Sequence, residues 1–225
     1  MKYFIDSANV DKIKGIFERF PCDGVTTNPT ILARESDDPA KTLLDIRGII
    51  GDRTLFVQVT AEDGREMVSQ AKTLCGKIGG ALSIKIPATE AGVYAMKELK
   101  ESGVPVTATA VYTVQQALLC AKAGAGYIAP YVAHIDDYGI DSAETVENMA
   151  RLLRLHAPEA VILAASFRVA EQINRVIAAG ACAVTVTPET FEKLIVSDGT
   201  KRETDAFRTN WKNRFGDSEI TDFFK

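Results

Sequence analysis

The chain has 225 residues, 46% of them hydrophobic and 25% charged, with a net charge of −4. That length suits one α/β barrel or two small domains, and it buries a core without metal or disulfide staples. Acidic and basic residues are mixed with no basic patch, no apolar run is long enough to span a bilayer, and Met1-Lys2-Tyr3 leads straight into structure, so nucleic acid, membrane and secretion are not expected and a cytoplasmic enzyme or binder is.

Taken in chain order, the first apolar run is Tyr3–Ile5, followed by Asp6-Ser7-Ala8-Asn9. Gly24–Thr26 comes next and leads into Thr27-Asn28-Pro29, a good helix entry, as is Asp6-Ser7. Leu55–Val57 and Leu82–Ile86 are the third and fourth strand candidates. Thr89 then precedes Val93, Met96 and Leu99 at helical spacing, with Gly103 as the stop. Val104–Ala108 is followed by Thr113-Val114-Gln115-Gln116, which reads as a capping box ahead of Ala117, Leu118 and Ala121. After Tyr127–Ala129, Asp141 and Glu144 open a helix whose Val146, Met149 and Leu153 share a face before Pro158. Val161–Ala165 and Ala183–Val186 close the series.

Several of these strands are continuous apolar runs, as expected when both faces are covered. About eight βα units, each roughly 25–30 residues long, predict an α/β chain folded as a single (β/α)8 TIM barrel. An open doubly wound sheet fits less well, because no glycine fingerprint follows the first strand. The expected organisation is one domain over 1–225, with 203–225 as an additional aromatic C-terminal helix and tail. Phe207, Trp211 and Phe215 form a stripe there and Phe223-Phe224 follow. The stripe reads either as core packed on the barrel or as a surface for a neighbouring subunit. Cys22, Cys75, Cys120 and Cys182 are scattered without a CxxC pair and are expected to be buried free thiols.

In such a barrel the chemistry sits at the C-terminal ends of the strands. The polar residues expected there are Asp6, Thr26-Thr27-Asn28, Gln58, Lys85, Thr109, Tyr131, Ser166, and Thr185 or Thr187. Lys85 is the sharpest of them, since Ile84 and Ile86 flank it within a strand. Burial disfavours its ammonium form and yields the neutral amine that attacks a carbonyl. A lysine that snorkels to the rim, or an ion pair with Asp6, would fit the same spacing. Gln58, Thr109 and Tyr131 are candidates to hold a catalytic water, and Asp6 and Asn28 to bind hydroxyls. With only His134 and His156 available, no metal site is expected, and no GxSxG elbow is present.

The segments Gly24-Val25-Thr26-Thr27-Asn28-Pro29-Thr30, Ile84-Lys85-Ile86-Pro87, Thr107-Ala108-Thr109-Ala110-Val111-Tyr112, Ala129-Pro130-Tyr131-Val132 and Ala164-Ala165-Ser166-Phe167-Arg168 carry a resemblance. Together they resemble the small transaldolase family, most closely its fructose-6-phosphate aldolase branch, over almost the whole chain. The resemblance implies a Schiff base on Lys85, contacts from Asp6 and Asn28 to donor hydroxyls, and proton handling by Tyr131 with Gln58 and Thr109 around a water. It implies no cofactor, and a homo-oligomer, pentameric or decameric, assembled through the C-terminal helix. Ordinary transaldolases carry Glu at the place of Gln58 and Phe at that of Tyr131, so the chain resembles the aldolase type. His134 stands where the family has an arginine gripping the sugar phosphate, and Ser166, Arg168 and Thr26 remain as binding candidates.

The expected function is therefore a class I aldolase that reversibly cleaves a ketose phosphate to dihydroxyacetone and glyceraldehyde 3-phosphate. The alternative is a transaldolase moving the same three-carbon unit between phosphorylated or sulfonated sugars, including 6-deoxy-6-sulfofructose. A non-catalytic sugar-phosphate binder is the reading from another class, and an ammonium ion set among isoleucines argues against it.

Overall fold

The computed structural model describes residues 1–224, which divide into two compact units, Met1–Phe191 and a second that begins at Glu192. The first is a closed barrel of eight strands: β1 (Lys2–Asp6), β2 (Gly24–Thr26), β3 (Thr54–Gln58), β4 (Leu82–Pro87), β5 (Val106–Val111), β6 (Ala125–Pro130), β7 (Val161–Ala164) and β8 (Ala183–Val186). All pairings are parallel, and β1 closes the ring against β8. Helices alternate with the strands, so the fold is the (β/α)8 TIM barrel. None of the helices among the described residues is long and apolar enough to cross a membrane.

The pleat sends successive side chains to opposite faces of each strand. Ile5, Val25, Val57, Ile84, Ile86 and Ala108 point outward and merge with helical residues such as Ile16, Ile46, Met96, Leu99 and Met149 into the main core. The intervening residues point inward. Phe4, Phe56, Leu163 and Ala183 form a second cluster inside the barrel, with Tyr127 packed against it. The rings of Phe4, Phe56 and Tyr127 meet edge to face, at 5.0 Å for Phe4–Phe56 and 5.1 Å for Phe56–Tyr127. These rings plug the barrel, so its interior is a floor and not a pore.

One glycine is fixed by the closeness of the strands. A Cβ on Gly24 would lie 2.0 Å from the Thr54 carbonyl oxygen, so only glycine allows β2 to pair with β3 here. The expected caps form. Thr113 and Gln116 make the reciprocal capping box, and Asp141 caps Ser142–His156 through the amides of Ala143 and Glu144.

Three expectations need correction. β5 runs over Val106–Val111 and not Val104–Ala108, because Pro105 has no N–H to donate and the strand continues past a register shift with Ala110 at φ +53°. The long C-terminal helix starts at Asp198, ahead of the expected 203, because Ser197 Oγ accepts from the Thr200 amide and caps it. The thiols are free, but only Cys22 and Cys120 are buried, and burial pushes both up to about 11. Cys75 is partly exposed, and Cys182 is exposed in the turn that enters β8.

In the second unit the Asp198–Phe215 helix buries none of its residues, and Phe207 is 63% exposed. Within that unit the stripe forms no buried core. Trp211, Phe215 and Phe223 pack on one another instead, and Trp211 Nε1 donates to the Ser218 carbonyl at 2.7 Å.

The aromatic floor gives a direct test. Phe56→Ala should destabilise the protein by about 3–5 kcal/mol, the usual cost of emptying a buried aromatic site. Urea unfolding would read this as a lower midpoint at unchanged slope, and a loss below about 1 kcal/mol would mean that the floor is not the packing centre proposed.

Candidate functional site

The polar candidates follow from strand parity. Two residues beyond the inward layer of Phe4, Gly24, Phe56, Ser83, Thr107 and Ala183 come Asp6, Thr26, Gln58, Lys85, Thr109 and Thr185. They form the layer nearest the C-terminal mouth of the barrel, above the aromatic floor. Lys85 pairs in register with Gln58 on β3 and Thr107 on β5.

Lys85 is 4% exposed, and its Nζ donates to the Thr27 carbonyl at 2.9 Å. It neither snorkels to solvent nor takes a carboxylate as its hydrogen-bond acceptor. Burial pushes the amine below the ordinary lysine range, and the charge of Asp6 opposes this only in part. The same burial raises the Asp6 carboxyl, with Lys85 and then the Thr26 hydroxyl working against it.

The Thr26 hydroxyl donates to Asp6 Oδ1 at 2.6 Å and lies 2.5 Å from Thr185 Oγ1. A hydroxyl has one hydrogen, so while Asp6 accepts from Thr26, Thr185 must be the donor in the second contact. Thr185, and not the exposed Thr187, thus joins the inner layer.

Across the mouth, Thr109 Oγ1 and Tyr131 Oη are 3.1 Å apart. Burial raises the Tyr131 phenol, so it keeps its proton at neutral pH. Gln58 Oε1 is buried and meets no donor among the described residues. Asn28 caps the Pro29–Glu35 helix, its Oδ1 accepting from the Ile31 amide at 2.9 Å. The cap uses the carbonyl and leaves the amide NH2 as a donor.

The remaining candidates form a separate rim. His134 lies on the short Val132–Asp137 helix, with Nδ1 2.8 Å from Ser166 Oγ and its ring 5.6 Å from that of Tyr131. Ser166 has φ +64°, a left-handed conformation rare for a residue with a side chain, and its carbonyl accepts from the Ala133 amide at 2.8 Å. Arg168 holds Asp137 with both arms of its guanidinium, at 2.5 Å each. His156 lies exposed in the last turn of Ser142–His156, on another part of the barrel.

Several contributors had no signal in the sequence. Asp137 is one, since nothing in the chain order pairs it with Arg168. The Thr27 carbonyl is another, being backbone. Glu35, at the end of the Pro29–Glu35 helix, accepts from Ser7 Oγ, the Ala8 amide and the Asn9 amide at 2.8, 2.9 and 3.2 Å. It fixes the loop that follows Asp6. Concavity does not locate the site either: a 690 Å³ hollow lined by Lys100, Lys122 and His156 opens beside Ala125 and Gly126, at the opposite end of β6.

The arrangement can present to a carbonyl an amine whose charged form burial disfavours, set beside it a carboxyl that the same burial raises and a phenol that keeps its proton, and surround a polyol with hydroxyl and amide groups. Among solved structures, a Pediococcus acidilactici protein described as a lactate oxidase is 16% identical, with a TM-score of 0.58. The match covers 83% of this chain and 62% of that one, so it speaks to the barrel fold alone. The transaldolase/fructose-6-phosphate aldolase family matches residues 3–221. Nearly the whole barrel and most of the tail lie within that match, and the chain belongs to the transaldolase/fructose-6-phosphate aldolase family.

Proposed function

We propose that the protein is a class I aldolase that captures a ketose phosphate as a Schiff base on Lys85 and cleaves it reversibly to dihydroxyacetone and glyceraldehyde 3-phosphate. The observation that carries this reading is the Lys85 amine, 4% exposed and bonded to a neutral carbonyl. Such an amine is uncharged closer to neutral pH than an ordinary lysine, which is the state a nucleophile needs.

Nζ attacks the C2 carbonyl, and the resulting carbinolamine loses water to give the iminium. Asp6, whose carboxyl burial raises, supplies the proton that leaves with that water. A water held by Gln58, Thr109 and Tyr131 takes the proton from the C4 hydroxyl as the C3–C4 bond breaks. The aldehyde departs, and the electron pair stays as an enamine on Lys85. Protonation at C3 and hydrolysis then release dihydroxyacetone and restore the amine. Asn28 donates to a donor hydroxyl through the amide hydrogens its cap leaves over, and Thr26 holds Asp6 in place.

A transaldolase follows the same course to the enamine and then passes it to a second aldehyde. Gln58 and Tyr131, which resemble the aldolase branch, support release to water. His134 bears on the anionic group instead, and in the second reading it supports transfer between sulfonated sugars such as 6-deoxy-6-sulfofructose as well as phosphorylated ones. An imidazole offers no bidentate fork to a phosphate. Self-association into a homo-oligomer is supported by the exposed Phe207, Phe215, Phe223 and Phe224 of the tail.

Borohydride reduction in the presence of dihydroxyacetone, followed by peptide mapping, should fix a three-carbon adduct on Lys85. Lys85→Met should lower turnover by about 10³-fold or more, as removal of a covalent nucleophile does. An adduct on another lysine, or undiminished turnover in that variant, would end the Schiff-base reading. Free dihydroxyacetone formed without an added aldehyde indicates an aldolase; release that needs an acceptor indicates a transferase.

The lowered amine also has a signature in stability. Above about pH 10.5, its ordinary value, the amine is uncharged folded and unfolded, and burial carries no ionisation penalty. As pH falls below that value the unfolded chain binds a proton that the folded chain does not, so stability declines until the folded pKa is reached. In an Asp6→Asn background, the stability gained by Lys85→Met should therefore grow as pH falls from about 10.5 toward neutrality. Urea melts at stepped pH would check it, and a gap that stays flat over that range would show that the amine is not perturbed.

A further inference from the structure

The rim of the site carries a charge pattern that the reaction itself does not require. Arg168 is the cation that follows Ser166 on the loop after β7, and both arms of its fork are engaged by the Asp137 carboxylate at 2.5 Å. The pair is solvent-accessible, with the Arg168 side chain 60% and the Asp137 side chain 44% exposed, so either can exchange partners. Asp137 also holds His134 in its field, one turn back on the same short helix. His134 in turn contacts Ser166 at 2.8 Å, with its ring tilted against that of Tyr131 at 5.6 Å. The neighbouring Asp136 is committed elsewhere, accepting from Gln172 Nε2 at 2.7 Å and from the Ser142 amide at 3.1 Å. Imidazole, hydroxyl, guanidinium and carboxylate thus form one connected patch beside the phenol.

From this we infer that Asp137 is a specificity-determining residue: it neutralises Arg168 and sets the charge that the distal group of the acceptor aldehyde carries. This inference rests on the aldol reading above, because it concerns the aldehyde that leaves or enters there. An incoming oxyanion must displace a carboxylate that already fills the guanidinium fork, and it meets that carboxylate's repulsion while doing so. The penalty grows with the charge of the newcomer. A phosphate dianion suffers most, a sulfonate monoanion less, and a neutral aldehyde not at all. Asp137 thus weakens the hold on dianionic aldehydes relative to weakly charged ones, by repulsion and not by loss of contact.

The test compares wild type with Asp137→Asn in the condensation of dihydroxyacetone with three aldehydes: glyceraldehyde, its 3-phosphate and its 3-sulfonate analogue. The amide keeps the shape of the side chain and removes its charge. Asp137→Asn should raise kcat/KM for the phosphate by about three- to fivefold, chiefly through KM, and for the sulfonate by less. Glyceraldehyde should be unaffected, and this arm also reports that the variant is folded and competent. The gain should shrink as salt is raised, because the groups are exposed. An unchanged ratio among the three aldehydes, or an equal change in all three, overturns the inference. Failure of wild type to condense any of them overturns the aldol reading and the inference with it; turnover with an unmoved preference overturns the inference alone.

Discussion

A primary amine held dry inside a barrel is the constraint from which the rest of this site is arranged. An isolated buried ammonium ion is expensive, so Lys85 needs a place where the uncharged form is favoured and still hydrogen-bonded. The Thr27 carbonyl provides that at 2.9 Å without adding a formal charge. Ile84 and Ile86 point away into the helix layer and anchor β4, while Lys85 points inward. The aromatic floor of Phe4, Phe56 and Tyr127 closes the space beneath. Asp6 is near enough to pull the amine back toward its charged form, and burial outweighs that pull.

Hydrogen-bond direction then organises the groups around the amine. Thr185 donates to Thr26 while Thr26 donates to Asp6, so a strand on the far side of the closure reaches the carboxyl through one hydroxyl. On the other side Tyr131 retains its proton and leans on Thr109. Burial thus pushes the Asp6 carboxyl and the Tyr131 phenol up and the amine between them down. The rim beyond them is built differently, from exposed charges on the Val132–Asp137 helix and the loop after β7. Inner and outer parts of the mouth therefore obey different physics: desolvation within, screened Coulomb forces outside.

Much of this was legible in the residue order. Strand parity follows from the pleat, so a buried Lys85 also places its companions two residues past each floor position. Caps at Thr113 and Asp141 carry local side-chain signals and formed as read. What could not be read were contacts between residues distant in the chain. Asp137 and Arg168 meet only because β6 and β7 are neighbours in the ring. The Thr27 carbonyl has no residue type to betray it. Cys182 looked like a core thiol among small neighbours, yet it falls in the turn before β8. The tail shows the limit of a periodic stripe, since spacing by four places Phe207, Trp211 and Phe215 on one face without saying what covers it.

The clasp made by Glu35 has a consequence for how such barrels can be taken apart and rebuilt. Its carboxylate gathers Ser7, Ala8 and Asn9, and those follow directly on Asp6. Residues 1–35 are in this sense a self-bracing cassette that brings Asp6 along with Thr26 and the brace of its own loop. A chimera spliced within that stretch would separate a reactive carboxyl from its brace. One joined after it, ahead of the Pro39–Ile50 helix that Asp38 caps, would carry the carboxyl and its loop brace across together.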